Sequence, residues 1–506
     1  VFTIFTMNWQ KSTIFSVIMS FTILGLANSQ CPPIFEFDGE GPLDLFGATV
    51  SSAGDVNADG YIDVIIGAPL NDFVGDDAGR TYVYSGLDGQ LIYLFNGEAA
   101  GNQFGNSVSS TGDVNNDGHS DIIIGANWFH GTSYHNGKAY VYSGLTAEII
   151  YTFVGEGFND ELGASVSEAG DCNNDGYGDF IVGASGNDDA GIDAGRVYIY
   201  SGQTGDTMFV FSGPEIGGGF GEAVSSAGDV DNDDYDDIII GAWRNSAGGS
   251  QAGRAFVYSG RTGNLLYTFT GETAGDNFGY SVASAGDANK DGYSDLIVGA
   301  IGNDAGGPLA GRAYVYSGQT GTIMYTFTGM AEEDLFGFSV STAGDINGDS
   351  FDDLVVGSQL NDAGGNNSGS AHIYSGKTGN LVNFLAGEGY DDRFGVSVSN
   401  GGDLNIDGFD DVLIGAPLNL AGGTYGGRVY VFSGKPSCCG DVNGDGVVNL
   451  EDVLLLEAYY FDCGGEFAFW GSDLNCDGSV NLADLTVLAR HVNGVGPPPC
   501  CLDFLK

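Results

Sequence analysis

Positive charge is scarce in this chain. Only 15 of its 506 residues are Lys or Arg, against 67 Asp and Glu, and the formal net charge is −52. Phosphate binding needs clustered basic residues, so the balance argues against a nucleic-acid partner. Proline is also rare, 11 residues beside 87 glycines, which marks a turn-rich chain rather than a proline-rich disordered one. Acidity on this scale accompanies disorder when apolar residues are few; here 42% are hydrophobic and fall in regular runs. The five histidines are scattered, and no acid–base group recurs along the chain.

Long apolar runs are also missing beyond residue 29. Before it, Lys11, the apolar stretch Ile14 to Leu26 and the small-residue site Ala27-Asn28-Ser29 read as a secretory signal starting at Met7 and cleaved before Gln30. The alternative is an uncleaved anchor. Gln30-Cys31 lacks the small residue that precedes a lipidated cysteine. Residues 1–29 are therefore expected to be a signal peptide and the product secreted. That compartment is oxidising and often rich in calcium.

What the chain does have is a strict repeat. Asp55, Asp113, Asp171, Asp229, Asp287, Asp345 and Asp403 follow one another at 58 residues, and Phe46-Gly47 recurs at the same interval, with Leu162 once in place of Phe. A fixed period of this size means a repeat architecture. In the first unit, residues 46–53 form a small-residue strand suited to a crowded position near an axis. Residues 63–68 are a continuous apolar run, as in a strand covered on both faces. Residues 79–86 alternate, and residues 91–96 are aromatic and branched. Four strands repeated seven times predict a β-propeller, with a linear solenoid as the alternative.

The chain ends favour the ring. The seventh unit has no fourth strand, whereas residues 34–40 align with residues 92–98, so the N-terminal strand is expected to complete the last blade. A ring needs such a loan because closure removes exposed sheet edges. On that frame Cys31 and Cys438 meet in the split turn, and Cys31 is expected to pair with Cys438 or Cys439. Closing so long a loop would stabilise the ring by on the order of 4–5 kcal/mol. Cys172 stands alone and is expected to be a buried free thiol.

Each unit carries an oxygen-rich loop with ligand-type residues at positions one, three, five, seven and nine. The first is Asp55, Asn57, Asp59, Tyr61 and Asp63. The second is Asp113, Asn115, Asp117, His119 and Asp121, and the third Asp171, Asn173, Asp175, Tyr177 and Asp179. The fourth is Asp229, Asp231, Asp233, Tyr235 and Asp237, and the fifth Asp287, Asn289, Asp291, Tyr293 and Asp295. The sixth is Asp345, Asn347, Asp349, Phe351 and Asp353, and the seventh Asp403, Asn405, Asp407, Phe409 and Asp411. Calcium takes six to eight oxygens from carboxylates, amides and carbonyls, with position seven offering its main-chain oxygen. Glycine at position six permits the turn; Asp234 and Ser350 replace it and are expected to strain their loops. Metal-free Asp-rich turns are the alternative, but their carboxylates would repel one another. The ions are expected to be structural.

Phe-Gly, the Asp-x-Asn-x-Asp-Gly-x-x-Asp loop and Gly-Ala-Pro at 67–69 and 415–417 together resemble the FG-GAP repeat of integrin α-subunits and of glycosylphosphatidylinositol-specific phospholipase D. The resemblance covers about residues 34–434. It implies a seven-bladed propeller with calcium on the lower face, and it brings no catalytic domain with it.

After Pro436 the pattern changes. Asp441, Asn443, Asp445, Val447, Asn449 and Asp452 form a twelve-residue loop leading into an apolar helical segment, residues 453–460. Asp473, Asn475, Asp477, Ser479, Asn481 and Asp484 repeat it 32 residues later, before residues 485–492. The duplicated loop–helix unit resembles a dockerin, which implies two more calcium ions and a cohesin-like partner. The family's pairing positions, often Ser-Thr and basic, read Leu450-Glu451 and Leu482-Ala483 here. A calcium-stabilised cap or spacer is the alternative. Six of the eight cysteines crowd this tail, whose pairing cannot be deduced from sequence. Nine divalent ions carry +18 and would leave the −52 chain at −34.

The expected organisation is therefore mainly β: a signal at 1–29, a propeller at 30–435 and a small α-helical dockerin-like domain at 436–506. Specificity should lie where the units differ, on the face opposite the calcium loops. Blade two breaks the pattern with Trp128, Phe129, His130 and Tyr134, and blade four with Trp243 and Arg244. Exposed flat rings suit a glycan or an extracellular protein. A structural surface spacer is the second reading. The third is a polysaccharide-acting enzyme, with His130, His135 and Tyr134 as its sparse candidates.

Overall fold

The computed structural model describes residues 33–434 except Thr132, together with the backbone of residues 29–30 and 447–448. Residues Pro33–Lys435 form one unit, and Val1–Pro32 with Pro436–Lys506 form another. In the second unit Ser29–Gln30 pairs antiparallel with Val447–Val448. The signal, the predicted cysteine pairing and the tail's loop side chains lie outside the described residues.

The first unit is a ring of seven four-stranded antiparallel sheets. Blade one runs Thr49–Gly54, Asp63–Ala68, Arg80–Tyr84 and Leu91–Asn96 from the axis outwards. The period explains the burial. In all seven blades the apolar second strand is fully buried, as a strand with sheets on both faces must be. The small-residue first strands instead line an axial channel of about 570 Å³, walled by residues such as Ser52, Ser110, Ser226 and Asn400.

Closure is as the repeat predicts, and a solenoid is set aside. Blade seven combines Ser397–Gly402, Asp411–Ala416 and Arg428–Phe432 with the N-terminal strand Phe35–Asp38. Phe35 pairs with Val431 and Asp38 with Arg428, the register of Tyr93 with Val83 and Asn96 with Arg80 in blade one. Side chains repeat the match: the Arg428 Nε donates to Asp38 Oδ1 at 2.6 Å.

Neighbouring blades share cores. Phe46, Val50, Ile66 and Tyr82 of blade one pack with Phe37, Val429 and Val431 of blade seven. Phe46 is wholly buried, which contributes roughly 2–3 kcal/mol. The Phe-Gly and Gly-Ala motifs meet at this seam. A Cβ on Gly67 would collide with the carbonyl of Gly105 in the next blade, the same carbonyl that accepts from Thr49 Oγ1 at 3.0 Å. Around the ring the last of these bonds runs from Ser397 Oγ to Gly47 O at 2.9 Å. A second set of clamps is not announced by any motif: Tyr93, Tyr151 and Tyr267 on the outer strands donate to Gly144, Gly202 and Gly318 carbonyls of the following blade at 2.7–2.9 Å.

Candidate functional site

The antiparallel meander puts the loops between strands one and two at one end of every blade, here the lower face. All seven loops fold alike. The first Asp receives the N–H groups of positions five and six at 2.8–3.1 Å. The fifth receives that of position seven at 2.9–3.2 Å. The ninth, wholly unexposed in every blade, receives the N–H of the adjacent third-to-fourth strand turn at 2.9–3.2 Å.

Positions three and nine come together. In blade four Asp229, Asp231 and Asp237 place three carboxylate oxygens within 4.8 Å of one another. In blades two, three, five and six the Asn at position three donates to the ninth Asp, at 2.7–3.2 Å for Asn115, Asn173, Asn289 and Asn347. In blade seven Asn405 turns instead to Ser433 Oγ at 3.4 Å. Position-seven side chains stay peripheral; His119 Nδ1 lies 2.8 Å from the Val56 carbonyl of the preceding loop.

This donor set fits calcium. It is entirely oxygen, the ligand type a hard cation takes. The Oδ1 atoms of Asn173 and Asn289 are buried without a hydrogen-bond partner. Burial pushes each ninth carboxyl up to about 7, against the pull of the turn N–H, and none of the described ion pairs reaches one. A bound cation supplies the positive charge that these buried carboxylates otherwise lack.

Sequence reasoning missed position eight. Asp236, Asp352 and Asp410 receive the N–H of Asp171, Asp287 and Asp345, the first residue of the preceding blade's loop, at 2.7–3.3 Å. The doubled acids at 236–237, 352–353 and 410–411 were a visible signal. Asp234 and Ser350 adopt the same left-handed backbone as the glycines they replace, with φ of 68° and 66°. Cys172 is buried and free, its Sγ 3.1 Å from Ala169 O.

The opposite, upper face is built differently. Phe73, Phe158, Ile192, Met330, Tyr390 and Leu420 are 63–79% exposed there, on loops between strands two and three or between blades. Six blades hold the second-to-third loop with an Asn that accepts an N–H two residues on at 2.8–3.1 Å, from Asn71 to Asn419. Blade two has Phe129 at that place. Phe129 turns inward to the core shared with blade one, under the Lys138 ammonium at 4.9 Å. Asn136 takes over, receiving Gly131 N–H at 2.9 Å and donating to Gly155 O at 3.0 Å.

The other rings of that loop gather. Trp128 lies 4.9 Å from His135, His135 3.8 Å from Tyr134, and Tyr134 5.8 Å from Phe158, all near-parallel, with His130 4.7 Å from His135. In blade four the Arg244 guanidinium sits 4.5 Å over Trp243 and 3.4 Å from Glu222. Trp243 lies 5.7 Å from Tyr280, and Tyr280 lies 5.1 Å from Phe338. The two groups are thus separate clusters, one in blades two and three and one in blades four to six.

A closed ring of seven blades with an oxygen-lined loop at one end of each defines a repeat-built β-propeller. The FG-GAP repeat matches residues 46–84, 104–142, 278–316, 336–374 and 394–432, and the Dockerin type I domain matches residues 439–493. The units beginning at Leu162 and Phe220 lie outside the matched segments yet make the same sheets. Integrin alpha-5 of Xenopus laevis is 32% identical over 42% of this chain, and integrin alpha-V of Gallus gallus 33% over 38%. The matches span about a fifth of each relative, 21% and 20%. The chain is a seven-bladed propeller that carries FG-GAP repeats and a dockerin type I domain and is similar over part of its length to integrin α-subunits; both families generally bind calcium.

Proposed function

We propose that this is a secreted recognition protein: a calcium-stabilised propeller that holds a glycan or extracellular protein on its upper face and is attached through its dockerin domain to a cohesin-type partner. Seven ions in the propeller loops and two in the tail fit the donor sets. The observation that carries the reading is the division of labour between faces. Lower-face loops spend their polar groups on one another, while the upper face leaves large apolar side chains in solvent. Patches of that kind mark interaction sites. Binding is favoured over catalysis, because His130, His135 and Tyr134 stack on each other as a row of rings rather than converge on one reacting point.

The test uses the full chain, calcium-loaded, on glycan and extracellular-protein arrays, beside a chelated sample and a variant of the exposed rings, Trp128→Ala with Tyr134→Ala. Saturable binding lost in both controls supports recognition. No binding by protein that is folded and calcium-dependent leaves the spacer reading.

A further inference from the structure

The rebuilt loop of blade two narrows the ligand class. Near-parallel rings in contact lie about 3.5 Å apart in plane spacing, so His135 and Tyr134 at 3.8 Å stack face to face, while Trp128 at 4.9 Å from His135 and Phe158 at 5.8 Å from Tyr134 are slipped sideways at the two ends. Each leaves part of its face open, and Trp128, Tyr134 and Phe158 are 39%, 54% and 66% exposed. Backbone bonds hold this staircase in place. Tyr134 O receives Asn159 N–H at 2.9 Å, His135 O receives Glu161 N–H at 3.1 Å, and His130 Nδ1 receives His135 N–H at 3.2 Å.

We propose that the staircase, with Asn159 and Glu161 at its edge, is a binding site for an uncharged polysaccharide chain. The proposal rests on upper-face recognition and adds the chemical class of the ligand. A pyranose offers a flat C–H face the size of one aromatic ring and a rim of hydroxyls, and a chain of them matches a series of rings better than a single small ligand does. The rim finds partners in Glu161, whose carboxylate is held only by long bonds, 3.4 Å from Asn159 Nδ2 and 3.3 Å from Ser185 Oγ. Vicinal hydroxyls can replace both with shorter ones. Charge excludes acidic chains. The nearby basic groups are engaged, Lys138 with Glu98 and Arg244 with Glu222, and a chain of net charge −52 repels carboxylated or sulfated polymers. Preformed rings also lose little freedom on binding.

Affinity electrophoresis of the calcium-loaded full chain through gels containing soluble mixed-linkage β-glucan, galactomannan or amylose, against polygalacturonate and dextran sulfate, tests this. Retardation by at least one neutral polymer and by neither charged one is expected. Phe158→Ala and Glu161→Gln should each weaken it tenfold or more, whereas Met330→Ser should not. Phe158 is exposed enough that its loss leaves the loop folded. Retardation by the charged polymers, or neutral binding that survives both variants, overturns the site. A parallel extracellular-protein array separates the two claims. Protein binding abolished by Phe158→Ala, with no neutral polymer bound, overturns the sugar assignment and keeps upper-face recognition; no ligand in either format overturns both.

Discussion

The two faces of the propeller are made from the same seven units and obey different rules. On the lower face, seven loops repeat the same hydrogen bonds to within 0.3 Å, whatever residue fills the variable positions. On the upper face, six loops share an Asn turn and the seventh discards it for a set of stacked rings. The lower loops satisfy demands internal to each blade, a buried carboxylate and a capped turn, and those demands recur at every period. The upper loops close no such circuit, so a unit can depart there without opening the sheet below. Regularity therefore marks what holds the ring together, and departure from it marks where the proposed recognition would lie.

The largest test of that contrast is metal removal. Occupied at a thousandfold excess over its Kd, one site adds about 4 kcal/mol, and several act on one cooperative ring. Chelation with EGTA should lower Tm by at least ~10 °C; calorimetry with and without calcium reads it. A Tm indifferent to chelation would mean that the lower-face loops are metal-free turns, and the division of labour would fail at its stronger end.

Much of this was legible beforehand. Asp at 58-residue intervals and the alignment of residues 34–40 with 92–98 gave ring, blade count and closing strand, because a strict period leaves one way to stack the units. The shared fold of the loops was legible because the Asp-x-Asn-x-Asp spacing is short and local. The clamps from Tyr93, Tyr151 and Tyr267 were not, since each joins groups 51 residues apart through a carbonyl that carries no sequence mark. Nor was the inward turn of Phe129. Sequence showed an aromatic in a variable loop, and only packing distinguishes one that fills a core from one that faces water.

An irregular unit inside the frame gives a sharper, pH-dependent test. His372 stands where five other blades carry the tyrosines 82, 140, 198, 314 and 430. It is 4% exposed, with Nε2 3.0 Å from Ser370 Oγ and Nδ1 unpartnered. Burial lowers its pKa from 6.5 to about 4. Between those values the unfolded chain binds the extra proton, so this contribution to stability is whole above pH 6.5 and is lost as pH falls towards 4. The loss is on the order of 3 kcal/mol. The difference in Tm between His372→Phe and the parent should therefore shift in the variant's favour from pH 7 to pH 4.5, and a constant difference would show that the imidazole is not held neutral.

Next in size is the backbone of the lower loops. Ser350 sits at φ 66° where five loops have glycine, a conformation costing a side chain about 1–2 kcal/mol. Part of the gain from glycine is returned through its freer unfolded state. Ser350→Gly should stabilise by roughly 0.5–1 kcal/mol, and Gly60→Ser should cost about as much, since a Cβ at Gly60 meets nothing within 4 Å and only the backbone term remains. Equal Tm for all three chains would mean that the turn tolerates any residue and that its glycine carries no structural demand.

The smallest expected effect bears most directly on the upper face. Met330 and Tyr390 are 79% and 72% exposed, so their replacement by serine removes little packed surface and should change stability by no more than ~0.5 kcal/mol each. The opposing view of these loops is that they have drifted and that their apolar side chains pack among themselves. On that view the double variant loses 1–2 kcal/mol or more through contacts made in solution, and Tm falls visibly. An unchanged Tm sets that view aside: these side chains then hold nothing together, and their loops are free to vary without weakening the ring.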